Sequence, residues 1–448
     1  MNTSKKIALC ILIFYGVGCT KYLDAVPDQG LTVPQTLADF RQMLENEKMF
    51  NNAPALGEFG TDDIALPDDI LATRNVAFQN GYLYAKDIFA GLANQDWNNA
   101  YEKIYYANIV LAGVDKMEDK NVSATDINSL KGWALFCRAN AFYDLQEIFG
   151  QPYRPSSAVS DLGIPLKLGT NLTQPVSRAT VKDTYQRIIT DLEEAALLLP
   201  AEVSKVNRSM PSKSAAYGLL SRVYLMIQDY AQSLRSANSS LELYNTLVDY
   251  NTISTTVRQP FNPLLDEIIY HSLQLAYLPI SCPMDHTLYD SYDANDLRKT
   301  LYYTYTTNSV AFKGYYSGNS IAHNGLATDE IYLTQAECNA RLGNSQKALD
   351  ALNTLLVKRY KTSLYIPYTI FNTPDILKLV LTERRKECVF RNLRWSDLRR
   401  LNQDTRFAKT IFHTYKGVTY QLLPNDPKYA FPIPDEEVRL SGIQQNNR

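Results

Sequence analysis

IYLTQAECNARLGNSQKALDALN, residues 331–353, carries two short amphipathic runs joined by a Leu-Gly-Asn-Ser turn. Tyr332, Ala336 and Ala340 share one helical face before the turn, and Ala348, Leu352 and Leu355 share another after it. Small residues at such positions let two antiparallel helices approach closely, which is the tetratricopeptide arrangement. The pattern recurs upstream, where YLMIQDYAQSL (224–234) aligns with NARLGNSQKAL (339–349). There the stripe Ala216, Leu219, Leu220, Val223, Ile227 breaks at Gln228-Asp229 and resumes at Tyr230, Leu234, Ala237 and Leu241. Two such pairs in one chain predict a mainly α fold with tetratricopeptide-like helix pairs as its scaffold.

Working outward, Thr180-Val-Lys-Asp183 has the form of a capping box, and Pro200 closes the helix that follows it. Residues 133–149 (WALFCRANAFYDLQEIF) are apolar nearly all round and predict a central, buried helix. Trp97, Tyr101, Ile104, Asn108 and Leu111 form one more face. The three tryptophans, Trp97, Trp133 and Trp395, all fall on helical patterns and are expected in the core. Between the helical parts lie long segments with weak periodicity, chiefly 50–94, 150–178 and 245–325. Loops of that length are usually functional or disordered, and these are too aromatic for disorder.

The 448 residues carry 45 basic and 47 acidic side chains with no basic stripe, which argues against a nucleic-acid partner. Four histidines and six cysteines in no ligand-like spacing leave little for a metal site, and no cofactor motif is present. Residues 1–6 hold two lysines, 7–17 are almost continuously apolar, and Gly18 precedes Cys19. A cationic start and a short apolar run mark a secretory signal; a spanning helix needs about 20 apolar residues. Small residues abutting a cysteine resemble a bacterial lipobox, with Gly16 where leucine is usual. The expectation is a signal peptide over 1–18, with Cys19 as the lipid-attachment residue and 20–35 as a Pro- and Gly-containing tether. Cys137, Cys282, Cys338 and Cys388 then read as buried small hydrophobes.

Six or more motifs fall in the order and spacing of the SusD/RagB family of outer-membrane lipoproteins. CTKYLD resembles the family's acylated cysteine and its following residues, WNNAYEKIYYANIVL (97–111) its W…Y..I…AN..L helix, and 133–153 its RA..Y.DL…FG.P segment. GIPL (163–166), NDLRKT (295–300), ERRKECVFRNLRWSDLRRLN (383–402) and LLPNDPKYAFPIPDEEVRLSGIQQN (422–446) continue the series. The resemblance implies a SusD-like N-terminal region over 19–225 and a RagB/SusD C-terminal region over 226–448, both parts of one composite fold. It implies an anchored protein on the outer face of the outer membrane that captures oligosaccharide, or in some branches peptide. The captured ligand would pass to a SusC-like TonB-dependent transporter without catalysis. A surface glycosidase and an adhesin are the rival readings.

Nine tyrosines fall within 270–316, where the chain average would place about three. A phenol offers a flat apolar face for a sugar ring and a hydroxyl to orient it. Tyr289, Tyr292, Tyr315 and Tyr316, with Tyr82 and Tyr84 in NGYLYAKD, are the expected ligand-binding residues. Asp62, Asp63, Asp68 and Asp69 bracket IALP without EF-hand spacing and read as loop or cap acids. The segment 383–400 has six arginines and one lysine. Thr373-Pro374 is expected to start its helix, and its charges to be ion-paired and solvated. GYYSG (314–318) lacks the spacing of a nucleophile elbow.

Overall fold

A computed structural model describes residues 34–117, 123–275, 282–306 and 309–448. Cys19 and the leader before it, and Tyr277, lie outside the described residues. The centre is the helix Ala124–Phe149, on which every side chain from Gly132 to Phe149 is buried. It lies between the helices Gln95–Val114 and Val181–Leu198. Its all-round apolar sequence is what a helix covered on every side requires. Arg138 fixes the three together, its guanidinium forking onto Asp191 at 2.8 Å and donating to Asn108 Oδ1 at 2.9 Å. The last carbonyls of this helix meet a cation: Arg399 donates to the carbonyls of Gly150 and Glu147, and Asn446 to that of Phe149. A guanidinium there satisfies orphan acceptors and complements the negative end of the helix dipole.

Thr180 caps Val181–Leu198 by accepting from the Asp183 amide at 3.0 Å, as the capping-box pattern predicts. The upstream pair is Lys213–Met226 and Tyr230–Leu243, turned through Gln228 at φ 64° and capped by Asp229. The downstream pair is Thr328–Arg341 and Ser345–Leu356, turned through Gly343 at φ 79°. Tyr230–Leu243 packs on Thr328–Arg341, so the two pairs stack as one helical layer. Gly218 shows why small residues recur here: a Cβ on it would stand 3.3 Å from Ile331 Cδ1 and 3.4 Å from Ser240 Oγ. Among the described residues the strands form four two-stranded antiparallel sheets. All three tryptophans are buried, as are the free thiols of Cys137, Cys282, Cys338 and Cys388.

The arginine-rich segment differs from its sequence reading in two ways. Its first helix, Ile376–Glu387, begins after Asp375, whose carboxylate accepts from the Lys378 amide at 3.0 Å, so Thr373-Pro374 lies outside it. Its charges are also largely interior rather than solvated. Arg384 pairs with Asp397 at 2.9 Å, Arg400 with Glu337 at 2.5 Å, and Arg391 with Asp329 at 2.6 Å, all buried. Glu387 reaches out of its own helix to Arg298 and Arg359, at 2.8 and 2.7 Å. The D-x-R element is part of the same lattice, since Arg298 also binds Asp296 and Glu383. Removing one partner from such a lattice costs about 3–5 kcal/mol, because the other charge is left buried and unpaired.

Candidate functional site

Three extended segments lie side by side, around residues 65, 282–284 and 309–312. Ala65 donates to the Pro283 carbonyl, Met284 to that of Val310, and Phe312 to that of Cys282. The last two involve the hairpin strand Ser309–Phe312, which pairs with Tyr303–Thr306. Residue 285 then starts the short helix His286–Asp290, with the Asp285 carboxylate capping it through the Thr287 amide. Two features flank this junction.

The first is an aromatic platform. Tyr289, on the short helix, and Tyr305, on the hairpin, stack at 5.5 Å with 11° between their planes. Tyr305 is 58% exposed and Tyr289 half-buried. The Lys299 ammonium lies 4.7 Å from the Tyr289 ring centre. Two parallel rings with a cation over one of them offer an apolar face, on the exposed Tyr305, and a hydrogen-bond donor close by.

The second is a cleft of about 450 Å³, within the size range of ligand sites. One wall is the extended stretch from Ile64 to Pro67, and the other is Lys409–Thr414; Asp62, Tyr82 and Asp285 complete it. Along this second wall, Phe412 is 60% exposed whereas Ile411 and His413 are buried. The hairpin Ile411–Tyr415 with Val418–Leu422 turns at Lys416 and Gly417, both with positive φ. That is the two-residue primed turn matching strand twist. The Asp68 carboxylate pins its tip by accepting from the Lys416 amide at 3.1 Å.

Five of the six tyrosines expected to face ligand are buried. Tyr82 and Tyr84 lie parallel to the His413 ring at 3.8 and 5.1 Å. Tyr82 accepts from the Leu66 amide and Tyr84 donates to the Gly60 carbonyl. Both therefore build the floor under the cleft, and only Tyr82 reaches its lining. Tyr292 bonds the Lys386 carbonyl at 2.6 Å and Tyr303 at 3.0 Å. Tyr315 packs edge-on against Phe312 at 4.9 Å. Tyr316 reaches Glu267, Asp329 and Tyr250 at 3.2, 3.0 and 2.5 Å, with Arg391 over its ring. The physical reason is the charge lattice next door: phenols satisfy interior carboxylates while their rings fill space. Of the six, Tyr289 stands at the surface, beside Tyr305.

Asp62 and Asp63 belong to the same lattice. Burial pulls the Asp62 carboxyl up, but Arg394, Arg385 and Lys409 hold it well below the usual carboxylate range. Arg385 also binds Asp63 at 2.7 Å. Glu58, beneath them, is pushed up to about 8 by burial and by Asp63. Burial lowers His413, although its nitrogens face the carbonyls of Tyr82 and Thr61. Glu267, Asp329 and Glu387 bring carboxylate oxygens within 4.8 Å of one another. Arg359 and Arg391 already meet that charge, so the trio reads as part of the lattice. Sequence reading passed over Lys299, Lys409 and Phe412. The alternation in IFHTY ahead of Lys-Gly is the signal that would have marked the last.

Comparisons with known proteins agree with this architecture. A family profile described as starch-binding and associating with the outer membrane matches residues 21–225, and the SusD family profile matches 291–448. SusD-like protein P2 of Formosa agariphila is 29% identical over 147 residues, 33% of this chain; the match spans about a quarter (26%) of that relative's length. A SusD superfamily protein of Bacteroides thetaiotaomicron has a similar structure, with TM-score 0.73 and 21% identity over 92% of this chain and 100% of its own. Another, from Bacteroides vulgatus, gives 0.75 and 21% over 92% and 99%. A SusD-like carbohydrate-binding protein of Bacteroides vulgatus gives 0.69 and 18% over 91% and 97%. Among the described residues no helix is long and apolar enough to cross a membrane.

Proposed function

Because the chain belongs to the SusD/RagB family, we propose that it is a cell-surface lipoprotein that captures oligosaccharide and delivers it to a SusC-like TonB-dependent transporter. The observation that carries this reading is the Tyr289–Tyr305 stack, with Tyr305 exposed and the Lys299 ammonium over the Tyr289 ring. A sugar ring lays its C–H face on one phenol plane while its hydroxyls accept from the ammonium, so affinity comes from stacking and orientation from charge. No bond is broken in such a cycle, and the protein acts as a binding component rather than an enzyme. Acylation at Cys19 holds it at the outer membrane, and tethering raises the effective concentration of captured ligand at the pore. The 19–225 and 226–448 regions act as one composite body in this scheme.

Calorimetry of the purified protein against panels of oligosaccharides and peptides tests the capture step. Saturable binding of an oligosaccharide, weakened at least tenfold in a Tyr289→Ala/Tyr305→Ala variant, is the expected result. Binding of peptides alone, or turnover of a glycan, overturns it. Palmitate labelling lost in Cys19→Ala, and a β-barrel copurifying from outer membranes, test anchor and partner.

A further inference from the structure

A small cavity lies in the interior among Tyr302, Tyr316, Val389 and Phe390, and all ten residues that line it are buried. The space open to the centre of a water molecule is about 10 Å³, close to what one such molecule needs. Two segments far apart in sequence contribute to its wall. In the first, the backbone of 322–324 is zipped to that of 272–274: Gln274 donates to the Ala322 carbonyl and Asn324 to that of Ser272, both at 2.8 Å. His323 stands between these bonds, and its ring is packed so tightly that a Cβ on Gly325 would lie 2.7 Å from its Cε1. The second segment supplies Arg391, flanked by Phe390 and Asn392 at φ 53° and 58°. A bulky residue rarely adopts this left-handed conformation, and residues held in it cluster at ligand clamps. Here Gln274 holds the Phe390 carbonyl, and Glu58 accepts from the Asn392 amide.

Arg391 and His323 bring to this cavity polar groups that no protein atom meets. Arg391 commits Nη1 to Asp329 at 2.6 Å, while its Nε and Nη2 have no protein partner. Neither ring nitrogen of His323 has one. The two residues are 4% and 1% exposed, out of reach of bulk solvent, so their unmet groups carry a full desolvation cost. Tyr302, Tyr316 and Glu387, also in the wall, are already bonded to protein groups. We propose that the cavity is a binding site for one water molecule, which accepts from Arg391, bonds His323, and so ties the 387–391 wall to the 322–324 segment. The ligand class follows from the groups to be met. Burial and the nearby Arg391 lower His323 and keep its imidazole neutral, with one nitrogen donating and the other accepting. The occupant must therefore be able to donate as well as accept. A halide only accepts, and it would add negative charge beside Glu267, Asp329 and Glu387. A metal cation would meet the guanidinium, and about 10 Å³ admits no sugar ring. The inference goes beyond oligosaccharide capture and does not depend on it.

The test is a crystal structure of the full chain at a resolution that shows ordered water, with a second crystal soaked in sodium bromide. The expected result is a single water-sized peak about 2.7–3.2 Å from both an Arg391 nitrogen and a His323 nitrogen, with no anomalous bromide signal at that place. His323→Phe keeps a ring and removes both nitrogens, and it should lose the peak while the Arg391–Asp329 pair stays in position. No peak in the wild-type map overturns the proposal, as does an anomalous bromide peak, which would make the cavity an anion site. Arg391 and His323 bonded directly to each other, or a peak unchanged in His323→Phe, also overturns it. The two wild-type maps decide the matter by themselves where the variant does not fold. Calorimetry at Tyr289 and Tyr305 is independent of every one of these outcomes, so the two readings fail separately.

Discussion

Tyr316 and Tyr305 come from the same tyrosine-dense stretch, yet one is an interior hydrogen-bond hub and the other lies open to solvent. The difference is what each ring finds across from it. Tyr316 faces the buried carboxylates of Glu267 and Asp329 and the guanidinium of Arg391. Tyr305 faces another phenol on a surface helix. Aromatic density in this chain therefore has two outcomes: phenols reconcile a charged interior with close packing, and a few rings, Tyr305 among them, project into solvent.

The sharpest way to break this comparison is to strip the lattice of a cation. Arg298→Met leaves Asp296, Glu383 and Glu387 without the guanidinium that binds all three. A loss of about 3–5 kcal/mol is expected, with thermal denaturation as the measure. A variant as stable as wild type would show that the lattice is not what keeps the tyrosines inside.

Glu58→Gln probes the same interior through pH. The Glu58 carboxyl, held near 8 against an ordinary 4.5 by burial and Asp63, keeps its proton in the folded state over a range where the unfolded chain has lost it. Folding then binds a proton, so stability falls as pH rises from about 4.5 to about 8 and levels off above. The glutamine variant lacks this contribution. Its stability relative to wild type should be smallest near pH 4.5 and rise by up to a few kcal/mol by pH 8. Asp96 and Glu267 are also raised, to about 7, so the difference between the two proteins is the quantity to follow. A difference independent of pH would place the titration elsewhere.

Much of the scaffold was legible because helix periodicity is local. The stripes through 216–241 and 332–355, the cap at Thr180 and the enclosure of 133–149 need only neighbours three or four residues away. What was not legible depends on partners far along the chain. Glu387 reads as an intrahelical partner until Arg298 and Arg359 arrive from elsewhere. The start at Asp375, two residues past Thr373, turned on which of two nearby caps the backbone used. What the spacing could not give is exposure: the density of tyrosines in 270–316 is plain in the sequence, but nothing in it separates half-buried Tyr289 from buried Tyr292. Exposure is decided by what packs against a ring, and Lys386 and Tyr303 take up Tyr292.

Tyr316→Phe sharpens the comparison at lower cost. It keeps the ring and removes the hydroxyl shared among Glu267, Asp329 and Tyr250, for which about 1–3 kcal/mol is expected. Stability and ligand affinity should part company here: the midpoint of unfolding falls while oligosaccharide affinity of the folded protein stays put. Affinity falling in step with stability would move Tyr316 from the lattice to the ligand face.

Tyr305→Ala is the converse and the mildest change to the fold. More than half of Tyr305 is already in water, and its ring contact is to Tyr289 alone among the described aromatic pairs. Deleting it forfeits one stacking contact, worth about 0.5–1.5 kcal/mol at most beyond area and less at an exposed site. Surface changes of this kind usually stay within about 0.5 kcal/mol of wild-type stability. Its effect on oligosaccharide binding should be at least tenfold if the platform holds the sugar, because a stacked ring at the centre of a contact carries a large share of affinity. Measured together, unfolding midpoint and calorimetric affinity place the two tyrosines at opposite corners: Tyr316→Phe loses stability and keeps binding, Tyr305→Ala keeps stability and loses binding. If Tyr305→Ala changes neither, the stacked pair is surface packing, and the sugar must be met by other side chains around residue 285.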